Sequence, residues 1–270
     1  MPIVSVVLSV YNEEQNLPSA IESILGQTYK DYELICCDDK STDGSLSVLS
    51  LYKEKYPEKI QIIENIKNRG QAFSRNRCIK KAKGSYIAIM DADDMCDSTR
   101  LEKQIDYLST YPEIAFVGTG MTFFDEHGTW ATRLFEEFPP RKKYVPHAPY
   151  CLASCMFRRD ALEAVGNYNE NPFYRSGEDL ELVVSLVEHG YQGANINEPL
   201  YFCREGIGVY KKWSIYERLT EALKIANIVR RLRLPVLYYL YVLRPLALAF
   251  LPRRIYMKLH RNALKKESYE

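Results

Sequence analysis

The first hundred residues alternate between two hydrophobic periods, and that alternation restricts the fold more than any other feature. Apolar runs at 3–10, 32–37, 59–64 and 85–90 read as strands. Each is followed by a helical pattern, at 17–27, 41–57, 71–83 and 100–111. Leu17, Ala20, Ile21, Ile24 and Leu25 share one face of the first helix, while Pro57, Gly84 and Pro112 stop the other three. Strands and helices in this order predict an α/β fold, with a mostly parallel central sheet flanked by helices. In such sheets ligands bind beyond the carboxyl ends of the strands. That rule gathers residues 9–12, Asp38-Asp39 and Asp91-Ala92-Asp93 along one edge.

From 114 to 203 the pattern is shorter and mixed. It contains a turn at DEHG, a loop with Pro139, Pro140, Pro146 and Pro149, and a helix near 179–189. With no Gly/Ser linker, this reads as a second lobe packed on the first. A hydrophobic content of 46% and a charged content of 26% are ordinary for a globular chain. The seven cysteines show no CxxC and no Cys/His ligand spacing, which predicts a reducing compartment and no zinc site. The opening MPIVSVVLSVYNEE lacks a basic leader and a small-residue cleavage site, so it reads as a first strand and not as a signal peptide.

The stretch IAIMDADDMCD, residues 87–97, ends an apolar strand in Asp91, Asp93, Asp94 and Asp97. Unpaired carboxylates at a buried strand end are costly to desolvate, so the cluster needs a partner. In an extended segment residues two apart point the same way, which puts Asp91 and Asp93 on one face. Two hard oxygen donors suit Mg²⁺ or Mn²⁺, an ion that completes its shell with substrate phosphates. The alternative is a turn and a helix N-cap before Ser98-Thr99-Arg100. No GxxxxGK[ST] is present, and neither Gly118-Thr-Gly120 nor Gly206-Ile-Gly208 continues into GxGxxG. Those absences argue against a kinase, a P-loop NTPase and a dinucleotide dehydrogenase.

Three stretches together resemble a family-2 glycosyltransferase with the GT-A fold: VSVVLSVYNEEQNLPSAIESILGQTYKDYELICCDDKSTDGS, NRGQAFSRNRCIKKAKGSYIAIMDADD and SGEDLELVVSLVEHG. The resemblance implies an inverting, metal-dependent enzyme that transfers one sugar from a UDP-sugar donor. It implies a nucleotide site at Ser9, Tyr11 and Glu13, with Asp39 on the uracil edge and Asn68 and Arg75 close by. Asp91 would lie near the ribose and Asp93 on the metal, with Asp94 a weaker candidate. The ED pair falls on Glu178-Asp179, with Asp179 as general base and Glu178 as second choice. Each role has a structural counterpart: a capped turn for Asp38 and Asp39, an ion pair for Arg75, and a helix start for Glu178-Asp179. Two departures stand out. Lys40 replaces the usual glycine after DD, and CLASCMFRR lacks the histidine that relatives often carry, with His147 nearby. No QxxRW motif is present, which predicts one sugar per encounter.

A net charge of +1 hides an asymmetry, since residues 1–202 hold 30 Asp and Glu against 21 Lys and Arg, whereas 203–270 hold 5 against 15. The basic tail is also apolar, and Arg244-Pro245 interrupts its run from 234 to 251. Helices lying on an anionic membrane surface fit this pattern better than a span. A helical cap on the catalytic lobe is the alternative, and nucleic acid is a poor partner for an acidic body. The expected organisation is a glycosyltransferase domain at 1–203 and basic amphipathic C-terminal helices at 204–270. Within the first, 1–112 is the nucleotide-binding half and 113–203 the acceptor half. The expected partners are a UDP-sugar, a glycan or lipid-linked oligosaccharide acceptor and a membrane surface. The expected place is the cytoplasm, peripheral on the inner face of the cell membrane, in surface polysaccharide or lipopolysaccharide synthesis. Two other classes remain: a nucleotidyltransferase, and a non-catalytic nucleotide-sugar-binding protein.

Overall fold

The computed structural model describes residues 3–145, 148–175, 177–205, 214–249 and 253–267; Pro146, His147, Gly206 and Gly208 lie outside them. Strands β1 (Val4–Val10), β2 (Tyr32–Asp38), β3 (Ile60–Glu64) and β4 (Tyr86–Asp91) pair in parallel in the order β3-β2-β1-β4. Helices α1 (Leu17–Leu25), α2 (Ser45–Lys55) and α3 (Gln71–Lys81) connect them. All seven residues of β1 and all seven of β2 are buried, as expected where helices cover both faces of a sheet.

Beyond β4 the sheet turns mixed. The remaining elements are β5 (Met95–Cys96), α4 (Arg100–Thr110), β6 (Ile114–Asp125), β7 (Gly128–Arg133), β8 (Met156–Arg158), α5 (Arg159–Ala164), α6 (Glu178–Glu188) and β9 (Gln192–Arg204). The order continues β4-β8-β6-β9-β5, with β7 paired to β6. Strand β8 runs antiparallel to both of its neighbours, while β6 and β9 are parallel.

How β4 ends decides where the site opens. Its ladder with β8 stops at Ala88, opposite Met156. Past that point other groups satisfy the backbone, which cannot be left unpaired in the core. The amide of Ile89 donates to the Cys155 carbonyl at 2.9 Å, and the Ile89 carbonyl accepts from Arg100 Nη2 at 2.7 Å. The Asp91 amide donates to the Tyr201 hydroxyl at 3.2 Å. Buried Arg100 also donates to the Ser154 carbonyl at 2.8 Å and to Gln104 Oε1 at 3.1 Å, so hydrogen bonds offset its desolvation. The carboxyl end of β4 is thus fixed without a strand lying across it.

The C-terminal region packs on this body. Helix α7 (Ile215–Arg231) starts with a capping box between Ser214 and Glu217 and buries Ala222, Ile225, Ile228 and Val229. Arg231 holds Glu181 and Glu188 of α6 at 2.6 Å each. The apolar run is divided between a 3₁₀ segment, Val236–Val242, and α8 (Leu243–Leu248). Pro245 falls in the first turn of α8, where a proline breaks no helical hydrogen bond. Helix α9 (Arg253–Glu267) anchors on β7: Leu264 packs with Phe123 and Ala131, and Arg261 lies 4.6 Å from the Trp130 ring centroid and 2.9 Å from Asp125. Among the described residues, no helix is long and apolar enough to cross a membrane.

Candidate active site

A cleft of about 460 Å³ opens at the carboxyl ends of the parallel strands, where the topology places it. Register explains the gathering: Ser9 lies beside Cys37 of β2 and beside Asp91 of β4. The lining includes Ser9, Tyr11, Glu13, Asp39, Asn68, Asp91, Asp93 and Glu178. Arg75 is buried behind this lining, and the Asp179 side chain, 23% exposed, is paired to it.

Asp39 organises the β2 side of the cleft. It is buried, and its Oδ1 accepts from Asn65 Nδ2 at 2.6 Å and from the Arg69 amide at 2.9 Å. Its Oδ2 accepts from the Gly70 amide at 2.7 Å. One carboxylate therefore shapes the 65–70 loop against the strand ends. Its neighbour Asp38 accepts from the Ser41 amide at 3.1 Å, the capped turn that the sequence allowed. Lys40 sits at φ 64°, so the turn keeps the left-handed geometry that glycine favours, at about 1–2 kcal/mol.

Behind the cleft, fully buried Arg75 joins the two ends of the site. Its Nη2 reaches Asp91 Oδ1 at 2.6 Å and its Nη1 reaches Asp179 Oδ1 at 2.5 Å. Gln71 also donates to Asp91 Oδ1 at 2.9 Å, and the Tyr168 hydroxyl to Asp179 Oδ1 at 3.0 Å. Both hydrogen bonds to Asp179 fall on Oδ1, which fixes the carboxylate and leaves Oδ2 for another donor. Glu178 faces the cleft, its Oε2 accepting from the Gly177 amide at 2.8 Å. Arg75 thus holds Asp91 and Asp179 together as an internal ion pair.

The carboxylates after β4 divide their tasks. Asp94 accepts from the Arg204 amide at 2.7 Å and joins the turn to β9. Asp97 accepts from the Thr99 amide and hydroxyl at 2.9 and 2.7 Å in a turn ahead of α4, whose N-cap is Thr99, so the turn of the alternative reading describes this residue. Asp93 forms no ion pair among the described residues, and burial, with repulsion from Asp91 and Glu13, pushes its pKa up to about 6. Burial also raises Asp91, against the pull of Arg75.

Charge makes the requirement explicit. Five carboxylates line the cleft (Glu13, Asp39, Asp91, Asp93 and Glu178), and Arg175 is the one cation among the described lining residues. Such a field disfavours a diphosphate unless added positive charge offsets it. Among the described residues no three His, Cys, Asp or Glu side chains converge into a complete ligand set. Mg²⁺ and Mn²⁺ take one or two carboxylates and fill their shells with water and phosphate. Asp93, with Asp91 beside it, fits that role.

The raised pKa of Asp93 predicts a measurable instability. The native state holds this proton more tightly than the unfolded chain does. The stability so gained is full below the ordinary carboxylate pKa near 3.8 and is lost as pH rises through about 6. Asp93→Asn is therefore expected to raise the metal-free Tm at pH 7.5, by at most about 3 kcal/mol of stability. The gain should shrink towards pH 4 in a calorimetric pH series. Equal melting of variant and wild type at pH 7.5 would show that the carboxylate carries no such cost.

Sequence reasoning did not single out Gln71, Tyr168 or Arg175. Gln71 follows the NRG stretch directly, so extending that motif by one residue finds it. Tyr168 and Arg175 lie in loops with no periodicity, and the chain's return path alone brings them to the site.

The comparisons agree with this architecture. The sequence profile described as "Glycosyl transferase family 2" matches residues 5–166. The Bacillus subtilis (strain 168) protein named "Putative glycosyltransferase EpsE" is 36% identical over 266 residues, covering 98% of this chain and 96% of its own. The Escherichia coli UDP-Glc:α-D-GlcNAc-diphosphoundecaprenol β-1,3-glucosyltransferase WfaP is 30% identical over 241 residues, covering 88% of this chain and 92% of its own. In fold, residues 1–349 of S. aureus TarS in complex with UDP-GlcNAc superpose with a TM-score of 0.69 at 18% identity, over 92% of this chain and 71% of that one. With strand ends, paired acidic motifs and profile in agreement, the chain belongs to glycosyltransferase family 2 and is a glycosyltransferase with the GT-A fold.

Proposed function

We propose that the protein transfers one sugar from a UDP-sugar to a hydroxyl of a glycan or lipid-linked acceptor, in the synthesis of a bacterial surface polysaccharide or lipopolysaccharide. The observation that carries the reading is the cleft's imbalance of five carboxylates against one arginine at the strand ends, a field that accepts a nucleoside diphosphate together with a divalent cation. The donor and acceptor classes rest on WfaP, whose name specifies a UDP-sugar donor and a lipid-linked acceptor, and the surface-polymer context on TuaG of Bacillus subtilis (strain 168), named for teichuronic acid biosynthesis.

Ser9, Tyr11 and Glu13 would hold the base and ribose, and Asp39 has a remaining lone pair for the uracil imide. Arg175 and Asn68 border the diphosphate, and Asp91 and Asp93 would hold Mn²⁺ or Mg²⁺. When bound, that ion neutralises the leaving diphosphate. Asp179 Oδ2 takes the proton of the acceptor hydroxyl as its oxygen bonds to the anomeric carbon. The bond from that carbon to the β-phosphate oxygen breaks at the same time, so UDP departs with the electron pair and the anomeric centre inverts. Glu178 is the alternative base. Arg75 orients Asp179 without touching substrate.

A panel of UDP-sugars, each with and without Mn²⁺, tests the class and names the donor. Metal-dependent UDP release from one donor is expected for the wild type, reduced by at least about 100-fold in Asp93→Ala. Tight UDP binding with no turnover for any donor or acceptor would instead indicate a nucleotide-sugar-binding protein.

We also infer that the chain divides by task after residue 203 and works on the cytoplasmic face of a membrane. Val236 and Leu237 are 82% and 70% exposed, and Leu240, Leu243, Ile215, Tyr216, Leu219 and Leu223 are exposed with them. This apolar display belongs to the basic part of the chain, and anionic lipid attracts each nearby cation by roughly 1 kcal/mol. The protein is expected to sediment with anionic liposomes at low salt, less so at high salt, and not with neutral ones. Retention in the supernatant with anionic liposomes would refute surface association.

A further inference from the structure

The turn after β4 is gripped from one side, by the end of β9. The Asp91 amide donates to the Tyr201 hydroxyl at 3.2 Å, and the Asp97 amide to the Leu200 carbonyl at 3.0 Å. Met95 and Cys96 pair with Phe202 and Tyr201. Between these contacts Arg204 makes two more. Its Nε donates to the Asp93 carbonyl at 3.0 Å, and its amide donates to Asp94 Oδ1 at 2.7 Å. We infer that Arg204 is a positioning residue for the metal-binding turn, fixing the 93–94 peptide so that the Asp93 carboxylate faces the donor cleft. The inference rests on the metal-dependent reading above and deepens it.

Asp93 needs such a hold. Its side chain lines the cleft, where Asp91 and Glu13 repel it, and their repulsion outweighs the attraction of Arg204. A carboxylate in that field lowers its energy by turning away from its neighbours, and so away from the place where a cation would sit. The peptide unit is planar, so a donor on the Asp93 carbonyl fixes the whole 93–94 plane. With Asp94 anchored on the other side of that plane, the backbone that aims Asp93 cannot rotate without breaking two hydrogen bonds.

The donor is itself held still. The Arg204 guanidinium lies 4.5 Å from the centroid of the Phe124 ring, a stacked cation with a fixed plane. Phe124 is buried and lies opposite Arg204 in the β6–β9 register, and the Glu205 amide donates to the Phe124 carbonyl at 2.9 Å. The sheet therefore sets the direction of the Nε–H bond. Arg204 is outside the cleft lining, so it acts through Asp93 and not on the donor. Since its charge is the lesser influence on Asp93, the hydrogen bond is what matters. Glutamine places an N–H at the same point along the side chain without the charge, and methionine keeps the stem with no donor.

Mn²⁺ titrated into the full chain saturated with UDP, followed by calorimetry, tests the assignment without turnover. Arg204→Met is expected to weaken Mn²⁺ binding about tenfold or more, the cost of losing a group that orients a metal ligand. Arg204→Gln is expected to stay within about threefold of wild type. Both should keep metal-free UDP affinity within about twofold and lose less than about 4 °C in Tm. Wild-type Mn²⁺ affinity in Arg204→Met would overturn the inference. So would Arg204→Gln binding Mn²⁺ as weakly as Arg204→Met, which would assign the effect to charge, and this arm holds even if the methionine variant does not fold. An equal loss of metal-free UDP affinity would reduce Arg204 to a general structural role and also overturn it. No Mn²⁺ binding by the UDP-saturated wild type would refute the metal-dependent reading, and this inference with it.

Discussion

Arg75→Met is expected to lower the unfolding free energy by about 3–5 kcal/mol and to abolish donor turnover. The side chain has no exposed surface and pairs with Asp91 and Asp179 at 2.6 and 2.5 Å. Removing it leaves two partly buried carboxylates facing each other with no shared cation, and the remaining charges cost more than the lost attraction alone. Methionine has nearly the volume of the missing stem, so a cavity contributes little. The pH dependence separates this cause from poor packing. Loss of Arg75 should raise the pKa of Asp91 further, so the native variant would take up protons more readily than its unfolded chain. Its deficit is then expected to narrow as pH falls from 7 towards 4, as read from urea denaturation at several pH values. A deficit constant across that range would place the cost in packing. Tyr168→Phe, which removes one hydrogen bond to Asp179, should cost about 1 kcal/mol by the same measurement.

Asp179→Asn is expected to reduce sugar transfer by roughly 10²–10⁴-fold, the range for loss of a general base. UDP affinity should stay within about twofold, because Asp179 is outside the cleft lining and its replacement alters no nucleotide contact. The fold should survive. An asparagine carbonyl can still accept from Arg75 and Tyr168, and Arg75 keeps Asp91 as its counter-ion. The change removes proton-accepting ability and little else. Glu178→Gln is the control, since Glu178 lines the cleft and is the other carboxylate of the pair. Full transfer by Asp179→Asn with none by Glu178→Gln would assign the base to Glu178.

The parallel half of the fold was legible because its signals are local. A buried strand needs an apolar run, a helix needs apolar spacing and a stop, and both were present four times before residue 112. The polar ends of those strands were legible for a related reason. A buried strand that ends in Asp91 and Asp93 breaks the pattern around it, and such breaks concentrate at sites. The mixed half was less clear. Strand β8 has three residues and β5 two, too short for a period to declare itself. In the C-terminal region α7 and α9 pack on the body, as the helical-cap alternative describes, while the 3₁₀ segment and α8 turn apolar side chains outward.

By itself the sequence determined the α/β class, the edge of the sheet where the cleft opens and most of the residues lining it. Parallel topology sends every strand's carboxyl end to the same edge, so position along the chain is enough to predict proximity. What tertiary structure decided was the division of labour among chemically identical groups. Among the described residues Asp93 has no ion pair and its pKa is raised, Asp94 is tied to β9, Asp97 turns the chain ahead of α4, and Asp39 shapes a loop. Arg75 could have been a surface ion pair and is instead the buried cation between Asp91 and Asp179. A carboxylate's role depends on how much water surrounds it and which charges lie within a few ångströms. Those quantities are set by contacts between segments up to about a hundred residues apart, which no local pattern encodes.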